Sequence, residues 1–113
     1  MAWNLCQCMT QFGERLIDNE KLRFWAKKQI TEKNESIISW LSEELKQQAK
    51  EIKMVEDNCK VKFGNASTYL EDASNNLKSC VNEEGAEFTA CIVSVINLID
   101  MSKIELRRKC EVV

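Results

Sequence analysis

Proline is absent from this chain, and glycine stands only at Gly13, Gly64 and Gly85. The residues that most strongly interrupt helices are thus confined to three positions, and a helical pattern has few places to break. The expected fold is all-α, an elongated, disulfide-stapled bundle of four to five helices. At 113 residues the chain makes one helical domain, residues 1–113, burying about two thirds of its unfolded surface.

The most apolar stretch is FTACIVSVINLIDM, from Phe88 to Met101, interrupted only by Thr89, Ser94, Asn97 and Asp100. As a helix it is apolar most of the way round and must be enclosed by other protein. At roughly 21 Å it is too short to cross a bilayer, so no membrane insertion is expected and the segment reads as a buried central helix. The pattern runs on through Ile104, Leu106 and Cys110. It becomes basic at Lys103, Arg107, Arg108 and Lys109, near the negative end of the helix dipole.

Earlier in the chain, Leu5, Cys8, Met9, Phe12 and Leu16 recur at helical spacing and predict a first helix between Trp3 and Ile17. A second pattern places Leu22, Trp25, Ala26 and Ile30 on one face, with Phe24 off that face. Its end is open, because Thr31, Asn34 and Ser36 can each cap a new helix. Ile38, Leu41, Leu45, Gln48, Ile52, Val55 and Cys59 then keep a three-four alternation, the spacing of a bundle seam. Gly64 suits a left-handed cap that ends this helix. The next helix is expected to open between Asn65 and Thr68, with Thr68 and Glu71 as a capping box. Its core face carries Ala66, Tyr69, Leu70, Ala73, Leu77, Cys80 and Val81, and a turn from Asn82 to Gly85 leads into the central helix.

Six cysteines in a chain without histidine point to three disulfides rather than a mixed zinc site, and so to a secreted protein. Met1-Ala2-Trp3 lacks the basic start and apolar run of a signal peptide, which fits a mature secreted chain with an added initiator methionine. Sequons at Asn34 and Asn65 agree with secretion, although such triplets arise readily by chance. Cys80 and Cys91 flank a tight helix-to-helix turn and are expected to pair. On a helix Cys6 and Cys8 point about 200° apart, so each reaches a different partner. Those partners are Cys59 and Cys110, and spacing does not assign which takes which. A redox or metal-thiolate site at Cys6-Gln7-Cys8 is the weaker reading, since redox pairs are more often C-x-x-C after a strand.

The net charge of −2 supplies no field for nucleic acid or an anionic membrane. Without histidine the commonest general base is missing. No serine elbow, phosphate-cradling glycine loop or metal-binding carboxylate spacing takes its place, so no enzyme activity, cofactor or metal site is expected. Glu83, Glu84 and Glu87 read as complements of a helix N-terminus. Trp3, Trp25 and Trp40 read first as core residues. Phe24, off the Leu22 and Trp25 face, is the best candidate for an exposed contact. Lys103, Arg107 and Arg108 are candidate contacts to an acidic partner.

The N-terminal WNLCQCMTQFGERL, the adjacent EKLRFWAKKQI and the order of the later cysteines resemble the small salivary proteins of anopheline mosquitoes typified by anophensin and albicin. The resemblance covers most of the chain. It implies a secreted salivary inhibitor of host defence in blood feeding, partnered by a host plasma protein complex. The implied target is the convertase of the complement alternative pathway or, as the alternative, contact activation of the kallikrein-kinin system. No short motif places the family's functional residues, so none is carried over. The rival from another class is a carrier of a small hydrophobic ligand lined by the central helix. A structural or midgut surface protein of insects shares the same cysteine-rich helical style.

Overall fold

The computed structural model describes the backbone of residues 19–112 and the side chains of residues 19–108. These form four helices, α1 (Glu20–Glu32), α2 (Glu35–Cys59), α3 (Ala66–Cys80) and α4 (Gly85–Val112), and no strand occurs among the described residues. The expected helix before Asn19, Trp3 and the partners of Cys6 and Cys8 lie outside the described residues. Each helix runs antiparallel to the next, and α4 returns antiparallel to α1. The last relation is fixed at one end by Asn19, whose Nδ2 donates to the Ile99 carbonyl, and at the other by Lys33, whose Nζ donates to the Glu83 carbonyl. The result is an up-down-up-down bundle of 54 × 21 × 18 Å, elongated as expected.

The break between α1 and α2 falls at Lys33 and Asn34. Lys33 takes a left-handed conformation (φ 42°), and its N–H closes α1 on the Gln29 carbonyl. Asn34 is the residue that caps α2, its Oδ1 accepting the Ile37 N–H at 3.2 Å. Gln29 holds the corner together: its buried side chain accepts the Asn34 N–H and donates to the Trp25 carbonyl.

Along α2 the seam is buried at Ile38, Leu41, Leu45, Gln48, Ile52 and Val55, and Ser42 and Ala49 widen it. The small residues bring α2 close to α3, where Ser42 Oγ lies 2.9 Å from Ser74 Oγ and each hydroxyl also donates to the other residue's carbonyl. The helix stops at Cys59, short of the expected end at Gly64. Lys60 turns left-handed (φ 54°), the Glu56 carbonyl accepts the N–H groups of Lys60 and Val61, and the Glu56 carboxylate accepts the Phe63 N–H. Phe63 then enters the core, and its burial stabilises the early stop. Gly64 does adopt positive φ (58°), but in the following turn. A Cβ there would come within 2.6 Å of the Glu105 carboxylate.

Asn65 occupies the cap position of α3 without a side-chain bond, so the Thr68 and Glu71 capping box does not form. Glu71 instead bonds Lys53 of α2 at 2.5 Å. That hydrogen bond, and then the Glu71 charge, raise the Lys53 pKa above its ordinary value. The pair's small contribution is therefore present below lysine's ordinary pKa and is lost as pH rises through the raised value. The core face of α3 is Ala66, Ser67, Leu70, Ala73, Ser74, Leu77 and Cys80, while Tyr69 and Val81 are only half-buried.

The Cys80–Cys91 disulfide forms as expected, with the Cα atoms 5.6 Å apart across the turn between α3 and α4. Cys59 is also disulfide-bonded. The expectation that the segment from Phe88 to Met101 is enclosed all round is corrected. Phe88, Ile92, Val95, Ile96 and Ile99 are buried, but Val93 and Met101 are 42% and 41% exposed, and Ile104 beyond them 54%. Among the described residues α1 and α3 pack on the inner sides of α4.

Candidate functional site

Lys21, Phe24, Trp25 and Lys28 recur at three-four spacing on α1, so they share one side of the helix, next to the buried Leu22, Ala26 and Gln29. The short Lys33-Asn34 connection folds α2 back antiparallel and sets Ile37 and Trp40 beside them. Trp40 lies between the buried Ile38 and Leu41 in sequence, and the helical turn swings it outward, leaving it 39% exposed. The expected core position holds only in part for Trp25, which packs against the core as a half-buried ring. Phe24 is 59% exposed, in agreement with its position off the apolar face.

The three rings form a chain of edge-to-face contacts. Phe24 and Trp25 centroids are 5.5 Å apart at 83°, and Trp25 and Trp40 are 6.4 Å apart at 82°. Lysines frame them: Lys28 Nζ is 4.9 Å from the Trp25 ring centre and 5.9 Å from that of Phe24, and Lys21 Nζ is 6.0 Å from Trp40. Lys28 also pairs with Glu32 one turn on. Lys21, Trp25, Ile37 and Trp40 line a shallow open hollow of about 300 Å³. Such a surface presents large apolar rings already held by their neighbours, so docking costs little side-chain entropy. The flanking ammonium groups favour a partner with carboxylates around an apolar anchor.

The basic candidates fare differently. Lys103 is ion-paired with Glu20 across the α1–α4 contact, and only 13% of its side chain is exposed. Arg107 and Arg108 are exposed on α4, beyond the end of α1, and are not brought together with Phe24. Sequence reading missed Lys21, Lys28 and Ile37 as members of the patch. The three-four spacing of Lys21, Trp25 and Lys28 was visible, but their joining to Ile37 and Trp40 depends on the left-handed turn at Lys33.

Among the described residues, no group of three or more His, Cys, Asp or Glu side chains could hold a metal ion. No described helix is long and apolar enough to cross a membrane. No family model, curated protein or solved structure matches the chain.

Proposed function

We propose that the chain is a secreted, non-catalytic inhibitor that works by occupying the surface of a host plasma protein complex. The observation that carries this reading is the cluster of exposed Phe24 and Trp40 about the half-buried Trp25, framed by Lys21 and Lys28 on a disulfide-bonded helical scaffold. Exposed large aromatics beside cations are the composition of interface hot spots. The resemblance to anopheline salivary proteins supplies the target, the complement alternative-pathway convertase, which the inhibitor holds inactive without being cleaved. Contact activation of the kallikrein-kinin system is the second target that the same resemblance implies. The carrier reading has less support, because three further open cavities lie at the surface with charged side chains in their walls.

The test is capture from activated human plasma on the immobilised protein, read by mass spectrometry, beside an alternative-pathway lysis assay. Enrichment of convertase components with loss of lysis supports the convertase as target. Enrichment of contact factors with intact lysis moves the target to kallikrein-kinin activation. No enrichment and intact lysis overturn the inhibitor reading.

A further inference from the structure

The two glycosylation sequons, Asn34-Glu35-Ser36 and Asn65-Ala66-Ser67, occupy different settings in the fold. Asn65 stands with Gly64 at the tip of the turn between α2 and α3, which the Ala66 N–H closes by donating to the Phe63 carbonyl at 3.1 Å. Phe63 and Ala66 at the base of this turn are buried, whereas Gly64 and Asn65 are exposed. The Asn65 side chain makes no capping bond to α3, so a group joined to its Nδ2 takes nothing from the helix start. Asn34 is exposed as well, but it is tied into the α1–α2 corner. Gln29 Oε1 accepts its N–H at 2.8 Å, and its own Oδ1 accepts the Ile37 N–H at 3.2 Å.

The two settings also close at different times. An oligosaccharide is transferred to a sequon while the chain is being made and before it has packed, so late closure favours transfer. The bonds around Asn34 join residues at most five positions apart, which are synthesised together. The base of the Asn65 turn is completed by Ser102, whose Oγ donates to the Ala66 carbonyl from 36 residues further on. At about 5–20 residues per second, that gap keeps the second sequon open for on the order of seconds. Asn65 also lies at the end of the bundle away from the aromatic patch, since Trp40 and Cys59 are roughly 28 Å apart along α2. A glycan on Asn34, one turn before Ile37, would stand beside that patch. We propose that Asn65, in preference to Asn34, is the acceptor of an N-linked oligosaccharide, a reading that rests on the secretory route of the proposed function. The donor is a lipid pyrophosphate-linked oligosaccharide. The bond from Asn65 Nδ2 to sugar C1 forms, the C1–O bond to pyrophosphate breaks, and Nδ2 gives up one proton as the lipid pyrophosphate leaves.

The test is secretion of the full chain from cultured insect cells behind a cleavable signal, with peptide mapping by mass spectrometry and far-UV circular dichroism to show that each variant is folded. Most secreted chains should carry one oligosaccharide on Asn65, and a minority one on Asn34. Asn65→Gln should abolish the Asn65 glycan. So should Ser67→Ala, which keeps the asparagine and removes the hydroxyl that the transferase reads. Asn34→Gln should leave the Asn65 glycan in place. A bare Asn65 in the secreted chain overturns the proposal, as does occupancy of Asn34 equal to or above that of Asn65. Only the secretory route is shared with the function proposed above, so the two readings fail separately. A chain glycosylated at Asn65 that captures nothing from plasma supports this site and overturns the inhibitor reading, whereas a bare chain that blocks lysis does the reverse.

Discussion

Lys60 and Lys33 are the two non-glycine residues with positive φ among those described, and they differ in what they gain from it. Lys60 is an exposed cap, so a Cβ in the left-handed region only costs. Lys60→Gly should raise stability by about 0.5–1 kcal/mol, seen as a higher denaturant midpoint with unchanged slope. Lys33→Gly should not repeat the gain. Lys33 Nζ donates to the Glu83 carbonyl at 2.7 Å and lies 5.0 Å from the Phe88 ring centre, and both contacts vanish with the side chain. Deeper in, Ser42→Ala or Ser74→Ala alone removes one of the two reciprocal hydroxyl-to-carbonyl bonds and should cost about 1 kcal/mol. The double variant should cost close to the sum, because each hydroxyl donates to a backbone carbonyl that the other substitution leaves in place, and urea unfolding of the four proteins would measure it. Apolar periodicity marks Ile38, Leu41 and Leu45 for burial but gives no weight to Ser42, because a serine is buried only where a partner such as Ser74 waits.

At the scale of elements, periodicity was a good guide to existence and face and a poor one to endings. The seam of α2 could be read residue by residue, because burial on one stripe leaves a three-four trace. Its stop at Cys59 could not, since the signals are the burial of Phe63 and the bond from Glu56 to the Phe63 N–H, both set by tertiary packing. The break between α1 and α2 was open among three caps, and the buried Gln29 side chain selects Asn34. For α4 the apolar content was legible but its burial was not: apolar residues on the outer side leave the same trace whether other protein covers them or not. The Cys80–Cys91 bond was legible from geometry alone, a cysteine on either side of a tight turn. Replacing both cysteines by alanine should lower stability by about 3 kcal/mol, and calorimetry should show the loss as a lower Tm with the helical spectrum retained.

For the whole molecule, the scaffold and the candidate site rest on different kinds of evidence in the chain. The all-helical bundle follows from missing proline, sparse glycine and amphipathic spacing. Phe24 stood out because it is off phase with Leu22, Trp25 and Ile30, but Trp40 did not, because a tryptophan in an amphipathic helix ordinarily belongs to the core. Its place beside Trp25 is a product of the tight corner at Lys33 and Asn34. On the proposed function, the molecule acts through this α1–α2 patch while the rest of the bundle keeps it in shape. The most direct measurement is the affinity of the immobilised convertase for the unmodified chain and for the Phe24→Ala, Trp40→Ala double variant, with Tm recorded for both. The variant should keep nearly the same Tm and bind about 100-fold or more weaker, the loss expected from two hot-spot aromatics. Equal affinity in a folded double variant would contradict it.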